Sequence, residues 1–325
     1  MQLTWKELKL KIVAFGTGPF CVPTLTWLTQ SSHDVLAVVT RPIEDSGKRR
    51  KTAANPVREF AEEQGLAIHD PASCNDPDFI QTLTAFNADL FFVCDYGQIL
   101  SRECLATVKL GGINLHGSLL PKYRGAAPIN WAIYQGELET GVTVIHMTAK
   151  LDAGPCLTKA AIPIKDEDTA ESIETKLSRI GVDEVAKAIE LLDQWDGESP
   201  IGTIQDKNLA TKAPRLNKTD GRIDWTRTAK QIVDQIRAFK PWPNSYCQWE
   251  HGKQPLRLIV HQARPLQIET NAPPGVIVAT DKKLLAVQTA EHALSIEVIQ
   301  PAGKKPMPVA DFLRGHQLQV GQTMG

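Results

Sequence analysis

Three polar residues of the kinds used in acyl transfer lie within one stretch of the chain, residues 111–154. Asn114 and His116 are two apart in a short apolar run, and Asp152 precedes Ala-Gly at the end of a second predicted strand, which would have to end beside the first. Side chains two apart in a strand face the same way, so the amide and the imidazole share one face. Burying both is costly unless they have partners or a function. The trio therefore predicts donors for an oxyanion, a proton shuttle and a carboxylate that orients the shuttle.

Each member of this trio also has an ordinary structural interpretation. An Asn near glycine often forms a turn, a single His on a strand is often a satisfied core residue, and an Asp before Gly can cap an element. The combination favours catalysis, because two polar residues share one face of an otherwise apolar strand. Ser118 is close in sequence, but no base is aimed at it. We therefore expect direct transfer to a substrate nucleophile, without a covalent enzyme intermediate.

The elements that must position the trio alternate between apolar runs and amphipathic stretches. The pattern predicts strands at 11–15, 35–40, 66–69, 89–95, 112–115 and 157–164, and helices from 22, over 57–65, over 76–86 and over 168–192. This alternation is typical of a doubly wound α/β domain, which we place at residues 1–197. The Gly-Thr-Gly after the first strand lacks the third glycine of a dinucleotide fingerprint, so a dinucleotide site is disfavoured.

The pattern changes in the last third of the chain. Residues 198–216 are rich in turn-forming residues and predict an interdomain linker. Residues 217–325 then show one helix, over 226–239, and five short strands separated by turn signals. Five short strands at this spacing predict a small barrel, with an OB-like fold the leading expectation.

Length and composition set further bounds. A chain of 325 residues with 42% hydrophobic residues predicts a globular protein of two domains. No apolar run approaches the length of a membrane span, and the first residues lack a signal-peptide core, so we expect a cytoplasmic location. The six cysteines form no C-x-x-C pair and the histidines lie near no cysteine cluster, so we expect free thiols and no metal. No self-complementary apolar surface is visible, and a monomer without an obligate protein partner is the default.

Charge is divided unevenly along the chain. Residues 1–198 carry 19 Lys and Arg against 27 Asp and Glu, whereas residues 199–325 carry 17 against 10. The long loop 41–56 adds a basic cluster, Lys48, Arg49, Arg50 and Lys51. Basic segments of this kind can bind phosphates without sequence specificity, although a solvated surface is the commoner explanation of a basic segment taken alone.

Several longer motifs resemble those of the folate-dependent formyltransferases. They are Asn-x-His-Gly-Ser-Leu-Leu-Pro at 114–121, Tyr-Arg-Gly-Ala-Ala-Pro-Ile at 123–129, Gly-Val-Thr at 141–143, Leu-Asp-x-Gly at 151–154, Arg-Ile-Asp-Trp at 222–225 and Pro-Trp-Pro at 241–243. The resemblance covers nearly the whole chain. It implies a Rossmann-like formyltransferase domain followed by an OB-like β-barrel domain.

The resemblance also implies substrates and site residues. The formyl donor would be 10-formyltetrahydrofolate, and the acceptor would be the α-amino group of the methionine on initiator tRNA. Asn114, His116 and Asp152 match the family's catalytic residues. The folate-contacting positions would be Ser118, Leu119, Leu120 and Pro121, with the Tyr96-Gly97 turn lining the pterin pocket. The cluster Lys48, Arg49, Arg50 and Lys51 and the basic barrel would bind the acceptor arm of the tRNA.

Three alternatives remain open from the sequence. A sugar-nucleotide N-formyltransferase would share the trio, but such enzymes often have Arg where this chain has Ala126. A 10-formyltetrahydrofolate hydrolase would use water as the nucleophile and would have little need for a basic second domain. A non-catalytic RNA-binding protein on the same scaffold is disfavoured, because sequence drift would be expected to break the trio.

Overall fold

The computed structural model describes residues 9–43, 54–250, 255–268 and 270–325, in which two compact units are distinguished by their contacts. The first unit is formed by the chain up to Pro128 together with Glu139–Pro163 and Glu174–Pro214. The second unit is formed by Ile129–Leu138, Ile164–Ile173 and Arg215–Gly325. These units are discontinuous in sequence and therefore do not test limits drawn along the chain. The predicted domain limits, 1–197 and 217–325 with a linker at 198–216, stay a prediction.

One seven-stranded sheet forms the core of the first unit. Its strands are β1 (Lys11–Gly16), β2 (Asp34–Val39), β3 (Ile68–His69), β4 (Leu90–Cys94), β5 (Gly112–His116), β6 (Glu139–His146) and β7 (Cys156–Pro163). Their order is β3-β2-β1-β4-β5-β6-β7, with parallel pairs as far as β5 and antiparallel pairs on either side of β6. All five residues of β4 are buried, as a strand covered on both faces requires. The predicted α/β fold with a Rossmann-like sheet is confirmed.

Local sequence signals explain where most helices begin. The helices are α1 (Val22–Gln30), α2 (Pro56–Glu63), α3 (Pro77–Ala85), α4 (Arg102–Leu105), α5 (Pro128–Tyr134), α6 (Ala170–Asp193), α7 (Ala229–Ala238) and α8 (Val309–Gly315). Asn55 and Asp76 cap α2 and α3 by accepting a backbone N–H, and each helix has proline in its first turn. Thr228 and Gln231 form a capping box at the start of α7. In the described residues no helix is both long enough and apolar enough to cross a membrane.

An antiparallel sheet forms the second unit. Its strands are β8 (Ser245–Trp249), β9 (Leu256–Leu266), β10 (Ile277–Thr280), β11 (Leu285–Gln288), β12 (Ala293–Pro301) and β13 (Met307–Pro308). Their order is β10-β11-β12-β9-β8, with β13 paired to β12. The sheet contains the five predicted short strands, although β9 extends five residues beyond the predicted end at 261, and the unit also contains α7 and α8.

The end of the described chain connects the two outer strands of this sheet. Met324 bridges Trp249 in β8, and Thr323 bridges Val276, the residue before β10. Met324 is buried in the hydrophobic core of the unit together with Trp225, Trp249 and Phe312. Unpaired strand edges are costly to leave open, and the final residues cover part of both.

Candidate active site

The predicted trio meets at the end of β5. Asn114 Nδ2 donates to Asp152 Oδ1 at 3.3 Å, and His116 Nδ1 lies 3.8 Å from Asp152 Oδ2. His116 is 6% exposed and Asp152 7%, whereas Asn114 is only partly buried. Two residues apart on one strand, the amide and the imidazole thus face the same carboxylate, as the period of a strand dictates.

Asp152 reaches the site by a route that the sequence did not reveal. The sequence pattern placed it at the end of a strand beside β5, but β6 ends at His146 and runs antiparallel to β5. Asp152 lies in the connection between β6 and β7, with a left-handed backbone at φ 47°. Its Oδ2 atom also accepts the backbone N–H of Gly125 at 2.9 Å, so both carboxylate oxygens have N–H donors.

The ring of His116 is oriented by a second contact. His116 Nε2 lies 2.9 Å from the carbonyl oxygen of Tyr123. A carbonyl oxygen only accepts, so Nε2 carries the proton and donates it. Nδ1 is therefore the nitrogen that faces Asp152, and it can hold either a lone pair or a second proton. In this arrangement the His116 ring can take up a proton at Nδ1, and the imidazolium can then pair with the Asp152 carboxylate.

The turn that follows β5 is fixed by hydroxyl groups. Ser118 is fully buried, and its Oγ donates to the carbonyl of Lys122 at 2.7 Å. Thr143 Oγ1 donates to the carbonyl of Ser118 and accepts from the N–H of Leu120. The Ser118 hydroxyl thus serves the turn, and direct transfer without a serine nucleophile stays a prediction. Leu119 is only partly buried, whereas Leu120 is 4% exposed.

A segment of the predicted linker packs along this loop. Residues 203–213, which we call the strap, pair with residues 123–127 and with the start of β7. Tyr123 N donates to Thr211 Oγ1 at 2.8 Å, and Ala213 N donates to the Arg124 carbonyl at 2.7 Å. At Gly125 the backbone has φ 127°, and a Cβ would overlap with the carbonyl of Ala213. Only glycine fits this close approach.

Gln205 of the strap reaches the site itself. Its side chain is 7% exposed and touches both Arg124 and the backbone around Asp152. Sequence reasoning missed this residue because the surrounding segment has no helical or strand period. Arg124 and Gly125 stood inside a motif of the resemblance, but nothing local to them indicated a role at the carboxylate.

The predicted pterin turn is divided between core and surface. The Tyr96 ring packs edge-on against Phe15 at 5.3 Å, and burial raises the pKa of its hydroxyl above the ordinary value of 10. Its side chain is therefore part of the core. Gly97 has open space where a Cβ would lie. The backbone at Gly97 and the neighbouring residues could line a ligand pocket here. The predicted folate contact of Tyr96 and Gly97 stays a prediction.

Two further predictions concern residues or groups outside this geometry. Lys48, Arg49, Arg50 and Lys51 lie outside the described residues, and their predicted role in binding RNA stays a prediction. Among the residues that the structure does describe, no three His, Cys, Asp or Glu side chains are grouped as a metal site would need.

Two family models match the chain, and together they cover most of it. A formyl transferase model matches residues 9–189, and a model of the formyl transferase C-terminal domain matches residues 215–317. A curated protein of Rhodopirellula baltica named methionyl-tRNA formyltransferase is 44% identical over 97% of this chain and 96% of its own length. A protein of the same name from Hydrogenovibrio crunogenus is 40% identical over 97% of this chain and 99% of its own.

Solved structures show the same fold at lower identity. HypX from Aquifex aeolicus in complex with tetrahydrofolic acid has a TM-score of 0.60 and 17% identity over 94% of this chain, which spans 46% of HypX. An N-formyltransferase from Helicobacter canadensis, solved with folinic acid and dTDP-3-aminofucose, has a TM-score of 0.62 and 16% identity. That match covers 90% of this chain and 100% of the other.

Proposed function

The chain belongs to the formyl transferase family, and from this premise we propose that it transfers a formyl group from 10-formyltetrahydrofolate to the methionine α-amino group of initiator methionyl-tRNA. The observation that carries the proposal is the joined Asn114–His116–Asp152 site in a chain that matches methionyl-tRNA formyltransferases over nearly its whole length. The enzyme would act in translation initiation, and a cytoplasmic location belongs to the same proposal.

The oxygen of the formyl group would be stabilised first by Asn114. The Asn114 amide carries two N–H donors, and one of them is directed to Asp152 Oδ1. The other N–H is available for a ligand, because the side chain is only partly buried. A fixed amide donor at an oxygen that gains negative charge lowers the barrier, typically by about 3–4 kcal/mol for one such donor. The free N–H of Asn114 suits a formyl group, because the single oxygen of that group is the atom that becomes charged.

The proton lost by the attacking amine would go to His116. With Nε2 directed to the Tyr123 carbonyl, Nδ1 is the nitrogen available to accept it, directly or through one water. The imidazolium that results is paired with Asp152 Oδ2, and its new N–H is a second donor for the charged oxygen. A new bond forms between the amine nitrogen and the formyl carbon, the bond from that carbon to the donor's nitrogen breaks, and the leaving nitrogen takes the proton.

The folate and tRNA contacts complete the proposal. The 118–121 turn follows the catalytic strand directly, and we assign Ser118, Leu119, Leu120 and Pro121 to the folate together with Tyr96 and Gly97. Since the Ser118 and Tyr96 side chains are turned inward, their contribution would come from the backbone. We assign the tRNA to the basic loop at 48–51 and to the positive residues 199–325, because clustered cations bind a phosphate backbone.

The sugar-nucleotide alternative has less support. Its support is a likeness of fold to solved structures at 16–20% identity, whereas the relatives at 40% identity and above are named for methionyl-tRNA. The hydrolase alternative would leave the basic second half without a ligand.

Formylation assays with three acceptors test the proposed function. The purified chain is incubated with 10-formyltetrahydrofolate and either methionyl initiator tRNA, an amino-sugar nucleotide or water alone. We expect formyl-methionyl-tRNA as the product and turnover with the other acceptors at least about 100-fold slower, since binding of the tRNA positions the amine. The proposal would be contradicted if the formyl group were transferred only to the sugar or only to water and not to methionyl-tRNA.

A further inference from the structure

Gln205 uses the whole hydrogen-bonding capacity of its amide inside the first unit. Its Oε1 accepts two N–H donors from the guanidinium of Arg124, at 3.1 Å from Nε and 2.7 Å from Nη2. Its Nε2 donates to the carbonyls of Asp152 at 2.9 Å and Gly154 at 2.7 Å. The guanidinium only donates and the carbonyls only accept, so the orientation of the amide is fixed by its partners.

The two carbonyls belong to the turn that presents the catalytic carboxylate. Asp152 has a left-handed backbone, which is uncommon for a residue with a Cβ, although Asp adopts it more readily than most. The hydrogen bonds from Gln205 act on that backbone, whereas Asn114 and Gly125 act on the carboxylate itself. Gln205 therefore restrains the position from which the Asp152 side chain extends.

The guanidinium belongs to the loop that contacts the other side of the trio. Arg124 lies between Tyr123, whose carbonyl accepts the His116 N–H, and Gly125, whose N–H is donated to Asp152. By binding Arg124 and the 152–154 turn with one side chain, Gln205 connects the two segments that set the distance between His116 and Asp152. That distance is 3.8 Å in this structure.

We propose that Gln205 is a positioning residue for formyl transfer, which holds the Asp152 carboxylate against His116 from a segment outside the catalytic motifs. The inference rests on the proposed function for the roles of His116 and Asp152. Misplacing a catalytic group by about 1 Å can cost on the order of 100-fold in rate. The effect should fall on the chemical step, because Gln205 is buried and its amide is fully used by protein partners.

Two substitutions separate positioning from simple packing. Gln205→Met keeps the length and approximate volume of the side chain but removes its four hydrogen bonds. We expect kcat to fall about 10-fold or more, while KM for donor and acceptor stays within about threefold of the wild type. Gln205→Glu keeps the acceptor for Arg124 but places an oxygen against two carbonyl oxygens. Its loss of kcat should be largest at alkaline pH and should shrink as the carboxyl gains a proton that it can donate.

A buried glutamine elsewhere in the chain provides the control. Gln288 is 6% exposed, its Nε2 donates to the carbonyls of Thr289 and His292, and its Oε1 accepts from Thr270. It lies in the second unit, so Gln288→Met removes a similar set of hydrogen bonds away from the site. We expect it to lower the thermal midpoint while kcat stays within about twofold of the wild type. A kcat for Gln205→Met within about threefold of the wild type, or an equal loss in Gln288→Met, would overturn the inference.

A measurement without substrates keeps the test independent of the proposed function. The N–H of Gly125 donates to Asp152 Oδ2, so the rate of its hydrogen exchange reports directly on the contact between the 123–127 loop and the Asp152 carboxylate. We expect exchange at Gly125 to be at least about 10-fold faster in Gln205→Met and unchanged in Gln288→Met. Unchanged exchange in both would contradict a positioning role. If the wild type formylates only a sugar amine, the proposed function fails, and the variants are compared with that acceptor.

Discussion

At the scale of single residues, the Asp152 carboxylate has the most specific environment in the site. Its two oxygens accept from Asn114 and Gly125 and lie beside His116, and its backbone is held by Gln205. The contacts come from three parts of the chain, which are β5, the 123–127 loop and the strap. A carboxylate with its partners fixed in this way can stabilise a neighbouring imidazolium without reorganising during the reaction.

Removing either member of the His–Asp pair should affect turnover. We expect Asp152→Asn or His116→Ala to lower kcat by on the order of 100-fold or more, because the proton acceptor or its counter-charge is lost. Affinity for tRNA should change little. Asp166→Asn is the matched control, since the Asp166 side chain is 94% exposed and lies in the second unit. Near-normal turnover in both site variants would mean that the trio is structural.

His33 gives the first unit a pH-dependent contact away from the site. Its Nδ1 accepts the N–H of Leu10 at 3.3 Å, so this nitrogen is unprotonated, and burial lowers the pKa of the ring from the ordinary value of 6.5. The unfolded chain therefore takes up a proton at a higher pH than the folded one. It follows that the contribution of His33 to stability is complete above about pH 6.5 and is lost as the pH falls toward the lowered pKa.

Replacing His33 should remove this part of the pH dependence. We expect His33→Gln to lower the free energy of unfolding by more at about pH 7.5 than at about pH 5.5. Denaturant unfolding at the two pH values measures both differences. His292→Gln, at a ring that is 41% exposed, serves for comparison. Equal destabilisation by His33→Gln at both pH values would contradict the explanation.

At the scale of elements, the site depends on the contact between the 123–127 loop and the strap. The two segments exchange backbone hydrogen bonds through Arg124 and Ala213, and the absence of a side chain at Gly125 lets them approach. β5 positions Asn114 and His116 from the sheet, whereas loop and strap position Asp152 and the Tyr123 carbonyl. Two kinds of element thus meet in one site, the rigid sheet and a loop that needs external support.

A side chain at Gly125 should separate these segments. Gly125→Ala combines a positive φ with overlap against the Ala213 carbonyl, so we expect a kcat about 10-fold lower and a free energy of unfolding reduced by about 1–3 kcal/mol or more. Gly197→Ala is the control, because its φ is also positive, at 83°, but nothing lies within 4 Å of a Cβ there. It should lose stability only. Equal kcat in the two variants would show that the close approach has no part in catalysis.

At the scale of the whole molecule, the proposed roles follow the distribution of charge along the chain. The second unit has its own core around Trp225, Trp249 and Phe312. Residues 199–325, which include the strap of the first unit as well as most of the second unit, carry 17 Lys and Arg against 10 Asp and Glu. The negative first part of the chain contains the trio. Selection of an RNA-bound amine would then combine a general site for formyl transfer with cations that bind the phosphates next to that amine.

Neutralising the basic cluster tests this division. Changing Lys48, Arg49, Arg50 and Lys51 to Ala should weaken tRNA binding, and the slope of log affinity against log salt should flatten by about 0.7–0.9 for each phosphate that the cluster neutralises in the wild type. Exchanging Lys for Arg and Arg for Lys at the same four positions keeps the charge and should leave the slope nearly unchanged. If the alanine variant keeps the wild-type slope, the cluster is a solvated surface.

The sequence by itself determined the features that depend on neighbouring residues. A strand period of two placed Asn114 and His116 on one face, and apolar runs gave β1, β2, β4, β5 and β7 within one residue of their observed bounds. The caps at Asp76 and Thr228 follow from side chains that bond within three residues of themselves. Longer motifs indicated the family, and the family models agree.

Only the tertiary structure decided how the trio is completed. Asp152 arrives from a connection beyond an antiparallel strand, the Tyr96 side chain enters the core, and a predicted linker segment supports the catalytic carboxylate through Gln205. Gln205 lies 53 residues from Asp152 and 81 from Arg124 along the chain. Loops carry no period that fixes their direction, so their partners depend on the elements they pack against. The sequence contained the chemical groups, and the packing of the loops set the distances between them.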